Sequence, residues 1–259
     1  MKKLKSLIKN LLLKIPLVNH IFILYQYKIF KTTVSIHGHK SLPMCMTKRN
    51  FSIYDKKEIG FASGLDKDLN YEFAFSKKII DFADENKIFF DVGAAYGHYT
   101  WLANKLYKKV YAFEGDPLEN FFLKKNMKNF NNITIIDKYI DDTYNLDKIC
   151  NDLKIMPDIV KMDIEGAEIN LVKNIDSLLK NKTSFLIEFH KRKILKKYKN
   201  KKVIDEFFEV FKYYNYDIEY NNHHSYDKLI KNGISDKNWF KEMPITNNFA
   251  IFAKPSFKI

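Results

Sequence analysis

Ile88-Phe89-Phe90-Asp91-Val92-Gly93-Ala94-Ala95-Tyr96-Gly97 is the stretch that decides the fold. A short run rich in Ile, Phe and Val is closed by an acid and a pair of glycines, and a helical pattern follows over residues 99–106. Strand, glycine turn and helix in that order make one half of a parallel β-α-β unit. Outward from it the same rhythm repeats, with strands expected at 110–113, 133–137, 159–163 and 185–189, a helix at 71–84 ahead of them, and helices between. Two further strands, near 216–220 and 249–253, complete an α/β fold: a seven-stranded, mostly parallel sheet with helices on both faces.

The regular domain therefore covers residues 71–259, and residues 1–70 form a basic, partly helical N-terminal extension. Within that extension, Leu4, Leu7, Ile8, Leu11 and Ile15 recur at helical spacing until Pro16 ends the run. Lys9, Lys14, Pro16 and His20 interrupt every window long enough to span a bilayer. Residues 1–15 are expected either to pack on the domain or to make a weak peripheral contact with anionic lipid. Residues 30–70, with Gly38, Pro43, Gly60 and Gly64, resist assignment.

At 259 residues and 46% hydrophobic content the chain can fill a large core, which excludes a disordered or fibrous protein. Cys45 and Cys150 have neither CxxC spacing nor clustered histidines, so no disulfide scaffold or structural zinc site is expected. A reducing, cytoplasmic location follows, with contact at the inner face of the membrane as its variant. The net charge of +13 is local. Ten Lys and Arg precede the first acid, Asp55, and eight more fill residues 191–202, leaving the remainder mildly acidic.

Ligands of open α/β sheets sit at the carboxyl ends of the strands. Here those ends carry Asp91, Glu114, Asp137 with Asp141, Asp163 with Glu165, and Glu188 with His190. Apolar strands do not end in carboxylates for packing reasons, so a polar or cationic ligand is expected. The turn reads D-x-G-x-x-x-G, and Ala95 stands where the G-x-G of a dinucleotide loop needs its second glycine. That argues against a nicotinamide-dependent oxidoreductase and suits S-adenosylmethionine, which brings no phosphate. Glu114, 21 residues after Gly93, is at the distance of an acid that grips a ribose diol.

The set resembles the FkbM family of methyltransferases. The carrying residues are Phe90 to Thr100, Phe113-Glu114-Gly115-Asp116-Pro117, Lys161-Met162-Asp163-Ile164-Glu165-Gly166-Ala167-Glu168, and Glu188-Phe189-His190. Ala95 stands where the family usually has Asn, and Gly115 where it has Pro. The resemblance implies a Rossmann-like class I methyltransferase with Asp91, Gly93, Ala94, Tyr96, Gly97, Glu114 and Asp141 around the cofactor. It also implies an O-methyltransferase acting on a sugar or glycoconjugate hydroxyl, in surface polysaccharide biosynthesis. His190 is the expected base, oriented by Asp163 or Glu188 with Glu165 beside it, and Glu168 reads as a first-turn helix acid. Mg2+ held by Asp163 and Glu188 is the alternative way to activate the acceptor. A nucleic-acid partner is not expected, because the lysine blocks lack interleaved glycine and aromatics; a methyltransferase acting on RNA or another non-sugar acceptor is the alternative.

Overall fold

The computed structural model describes residues 29–36, 39–47, 73–141, 143–172, 174–198, 202–222, 225–230 and 249–256. The helix expected over residues 1–15 lies outside them. Part of the unassigned 30–70 region is an antiparallel hairpin of β1 (Ile29–Ile36) and β2 (His39–Thr47), with Ile29 opposite Thr47.

The domain proper begins with α1 (Phe73–Asp81), β3 (Asp84–Val92), α2 (His98–Asn104), β4 (Tyr107–Phe113), α3 (Pro117–Met127) and β5 (Ile133–Ile136). It continues through α4 (Leu146–Leu153), β6 (Ile159–Met162), α5 (Glu168–Val172), α6 (Asp176–Lys180) and β7 (Ser184–Phe189). The last elements are α7 (Lys191–Tyr198), α8 (Lys202–Tyr213), β8 (Tyr216–Asn222), β9 (Ser225–Ile230) and β10 (Phe249–Pro255).

The sheet order is β5-β4-β3-β6-β7-β10-β8-β9. Strands β3 to β7 run parallel, and β10 is antiparallel to both β7 and β8. All seven expected strands are present, and β9 adds an eighth at the edge, paired antiparallel with β8. The helix expected over 71–84 stops at Asp81, because the chain turns at Phe82 and Ala83 and β3 already begins at Asp84. Among the described residues no helix is long and apolar enough to cross a membrane.

Side-chain alternation along β3 explains the continuous apolar run. Phe89 enters the core on one face, with Phe75, Leu102, Phe122 and Phe252, and Phe90 enters the other, with Phe113, Val160, Phe185 and Ile187. Each such ring, fully removed from water, contributes about 1.5–3 kcal/mol. Phe185 packs edge-on against Phe211 at 5.6 Å between centroids, so α8 covers the second face. With both faces sealed, the polar chemistry is confined to the strand ends. The order reverses between β4-β3 and β3-β6, so the carboxyl ends of β3 and β6 border the crevice where such sheets take ligands.

Candidate functional site

The first wall is built by the turn after β3. Gly93 takes φ +77, and a Cβ there would lie 1.8 Å from the carbonyl oxygen of Asp163. Only glycine lets the ends of β3 and β6 approach so closely. Ala95 is left-handed at φ +46 without being glycine, and its N–H donates to Glu114 Oε2 at 2.8 Å. The other oxygen, Oε1, accepts from the Asp116 amide at 2.7 Å. Glu114 is thus fixed by two main-chain donors while 93% buried. Burial raises its pKa, and the two amides and Lys161 offset part of that rise.

Asp116 caps α3 by accepting from the amides of Leu118 and Glu119, with Pro117 in the first turn. This cap aims the start of α3 at the crevice and brings Glu119 to its wall. Burial, followed by the charges of Glu114 and Asp116, pushes the Glu119 pKa up to about 7. On the next strand end, Tyr139 lies over Gly115, where a Cβ would come within 2.3 Å of its ring carbon Cγ. The departure at Gly115 therefore has a physical reason: the ring takes the space.

Together these ends enclose a cavity of about 600 Å3. Gly93, Tyr96, Glu114, Asp141, Asp163, Glu165, Glu188 and His190, all expected site residues, line it. Asp91, Ala94 and Gly97 do not. Asp91 is fully buried behind the wall, accepting from Thr100 Oγ1 at 2.6 Å and pairing with Lys161 Nζ at 3.3 Å. It is the register partner of Lys161 across β3 and β6, and the same Nζ donates to the Gly93 carbonyl at 3.0 Å. Asp91 therefore braces the loop. Asp141 spends one oxygen on its own turn, accepting from the Thr143 amide and hydroxyl, each at 2.7 Å, and from the Tyr144 amide at 2.9 Å. Asp137 pairs with Lys124 on the exposed surface.

At the other end of the cavity stands His190, 97% buried. Its Nδ1 lies 2.7 Å from Glu168 Oε1, which also accepts from the Gly166 amide at 3.0 Å. The orienting group is Glu168, where the sequence points to Asp163 or Glu188; the turn after β6 tucks this first helical residue inward. Nε2 faces Glu188 Oε1 at 3.3 Å, Glu165 Oε2 at 3.4 Å and Asp163 Oδ1 at 3.7 Å. Burial alone would lower the imidazole pKa, but hydrogen bonds and charge from Glu168 and Glu188 outweigh it and raise the value to about 10. At neutral pH this ring holds its proton, so in this form it positions and donates where a base would have to accept. His98, also on the wall, is driven down to about 3 by burial and the charge of Lys161, and stays neutral.

Sequence reasoning passed over Glu119 and Tyr139 and read Glu168 only as a first-turn helix acid. The signal for Glu119 is its place one turn into a helix that starts at a strand end. For Tyr139 it is an aromatic between two acids after β5.

A stretch of 65 residues is 42% identical to an uncharacterized protein of Methanocaldococcus jannaschii, covering 24% of this chain and 25% of that protein. The match spans a quarter of that relative's length. Among solved structures, Trm5b from Pyrococcus abyssi is similar at 14% identity and TM-score 0.50, over 89% of this chain and 57% of that one. M. jannaschii TYW2, solved with AdoMet, is similar at 18% identity and TM-score 0.49, over 88% and 86%. An rRNA methylase from Streptococcus thermophilus is similar at 12% identity and TM-score 0.49, over 72% and 98%.

Two expectations are corrected. The resemblance to the FkbM family does not stand as an assignment, since no family model matches the chain. The expectation against a nucleic-acid partner is not kept either; a protein titled an rRNA methylase is among the structures similar to this chain. The chain has the Rossmann-like fold of class I S-adenosylmethionine-dependent methyltransferases.

Proposed function

We propose that the chain is an S-adenosylmethionine-dependent methyltransferase whose acceptor is RNA. The observation that carries the cofactor half is Glu114, held by the amides of Ala95 and Asp116 at the edge of a cavity beside the strand-order reversal. A carboxylate so fixed can accept from both hydroxyls of a ribose without reorganising. Tyr139, over Gly115, offers a ring to the adenine, and Gly93 and Tyr96 border the methionine side.

The acceptor half rests on α7. Ile194 anchors this helix in the core, while Arg192, Lys193, Lys196 and Lys197 are exposed. Lys193 lines the cavity and also a second groove of about 420 Å3 with Lys196 and Lys197. A run of cations leading into the reaction cavity fits a polyphosphate backbone. The finer reading is O-methyl transfer. The sulfonium carbon–sulfur bond breaks as the acceptor oxygen forms its bond to the methyl carbon. The hydroxyl proton passes to a carboxylate of the Asp163, Glu165 and Glu188 group, and neutral S-adenosylhomocysteine leaves.

Thermal unfolding with S-adenosylhomocysteine tests the first half: stabilisation by ligand linkage is expected, and its absence at saturating ligand sinks the reading. Anisotropy with fluorescent RNA tests the second. Lys196→Ala with Lys197→Ala should weaken binding at every sequence and lower the salt slope by about two. A wild-type protein that ignores RNA at low salt removes RNA as the acceptor.

A further inference from the structure

We propose that His190, Asp163 and Glu165 hold a divalent transition cation, with Mn2+ as its best representative. The observation is a convergence on one atom. Nε2 of His190 faces carboxylate oxygens from Glu188 at 3.3 Å, Glu165 at 3.4 Å and Asp163 at 3.7 Å. One ligand atom from each of Asp163, Glu165 and His190 can be chosen so that all lie within 4.8 Å of one another. Donors bound to one ion at about 2.0–2.2 Å stand roughly 3–4.4 Å apart, depending on the angle between them. The spacings match an ion's shell better than a hydrogen-bond network, because a single N–H cannot serve three carboxylates.

A second, independent feature points the same way. The opposite ring nitrogen is fixed by Glu168, a carboxylate with no solvent exposure. A carboxylate behind a buried imidazole keeps the Nδ1 proton and aims Nε2 into the site, so a cation that displaces the Nε2 proton would take that nitrogen as a ligand, the arrangement found behind metal-bound histidines. Charge completes the case. Asp163, Glu165, Glu188 and Glu168 bring four carboxylates to one side of the cavity, faced by His190 and by Lys193, which pairs with Glu165 Oε2. Like charges at this density favour a compensating cation. Lys193 is half-exposed on its flexible stem, so an ion at Glu165 would release it toward the basic groove of α7.

The donor set also selects the metal. Carboxylates alone suit Mg2+ or Ca2+, whereas an imidazole moves the preference to Mn2+, Fe2+ or Zn2+. This mixed set differs from the alternative raised from sequence, Mg2+ on Asp163 and Glu188, in that Glu188 stands alongside. That the ion would polarise the acceptor oxygen rests on the proposed methyl transfer; that it binds does not.

The test is a titration of Mn2+ into the full chain, followed by loss of the free-ion electron paramagnetic resonance signal, with S-adenosylhomocysteine thermal shifts measured in parallel. One ion per chain is expected, weakened roughly 10–100-fold in Asp163→Asn and in Glu165→Gln. Both positions reach solvent, so the variants should fold, and an intact thermal shift verifies that they do. Absence of stoichiometric Mn2+ in the wild type, or unchanged affinity in both variants, overturns the proposal. Intact Mn2+ binding without any S-adenosylhomocysteine stabilisation would support the metal site and sink the methyltransferase reading instead.

Discussion

Nδ1 of His190 lies 2.7 Å from Oε1 of Glu168, a carboxylate sealed from solvent at the start of α5. Two residues 22 positions apart are joined because the turn after β6 and the end of β7 meet at one corner of the cavity. The pair fixes the ring plane and decides which nitrogen looks into the site. Glu168 touches no space of its own in the cavity wall, so it acts through His190 as a positioning residue.

Glu168→Gln keeps the shape and removes the charge. The turnover number for methyl transfer should fall roughly 10–100-fold, while S-adenosylhomocysteine affinity stays within about twofold, since the cofactor wall is at the opposite end. Glu168→Asp should restore part of the rate. A Glu168→Gln enzyme with wild-type turnover would show that ring orientation is set elsewhere.

Glu114→Gln retains one acceptor and loses the ionised carboxylate. Hydrogen bonds to a charged group contribute about 1.5–3 kcal/mol each, so S-adenosylhomocysteine should bind roughly 10–100-fold more weakly. Calorimetry reads this directly. An unchanged affinity would place the ribose away from β4.

Glu119 gives a pH dependence whose sign follows from its surroundings. Its folded pKa is raised from 4.5 to about 7, so the native state binds the extra proton between these values. Stability from this group is present at low pH and declines as pH climbs through that window. Glu119→Gln should melt near the wild-type temperature at pH 4.5 and a few degrees above it at pH 8. Equal melting temperatures at both pH values would mean that Glu119 is ordinarily solvated.

Gly115 and Tyr139 should couple. A methyl at Gly115 meets the ring at 2.3 Å, and the ring, 62% exposed, can swing outward. Gly115→Ala and Tyr139→Ala should each weaken cofactor binding several-fold, and the double variant should be no worse than either alone. Additive losses would show that the ring and the glycine act independently.

The sheet and the edge of it that borders the cavity were legible in the chain, for local reasons. Phe89 and Phe90 read as a strand buried on both faces, and strand-end acids read as a ligand edge, because alternation and termination are properties of consecutive residues. Glu188 on β7 and His190 just past its end were read onto one face and meet at 3.3 Å. The hairpin over 29–47 and the edge strand β9 were not read from the chain, because no long apolar run marks them.

Roles within the edge needed the third dimension. Asp91 opens the motif yet sits behind the wall, because its register partner on β6 is Lys161 and the two neutralise each other beneath the loop. Gly93 reads as a cofactor glycine, but its missing Cβ is first required by the Asp163 carbonyl 1.8 Å from where it would stand. Glu168 reads as a helix-dipole acid and is the partner of a histidine just past the end of β7. The sequence by itself determined the strands, the edge and the residues that reach it, since these depend on periodicity along the chain. Which carboxylate faces the cavity, which braces the loop and which orients His190 depended on register between strands distant in the chain, and only the tertiary structure decided that.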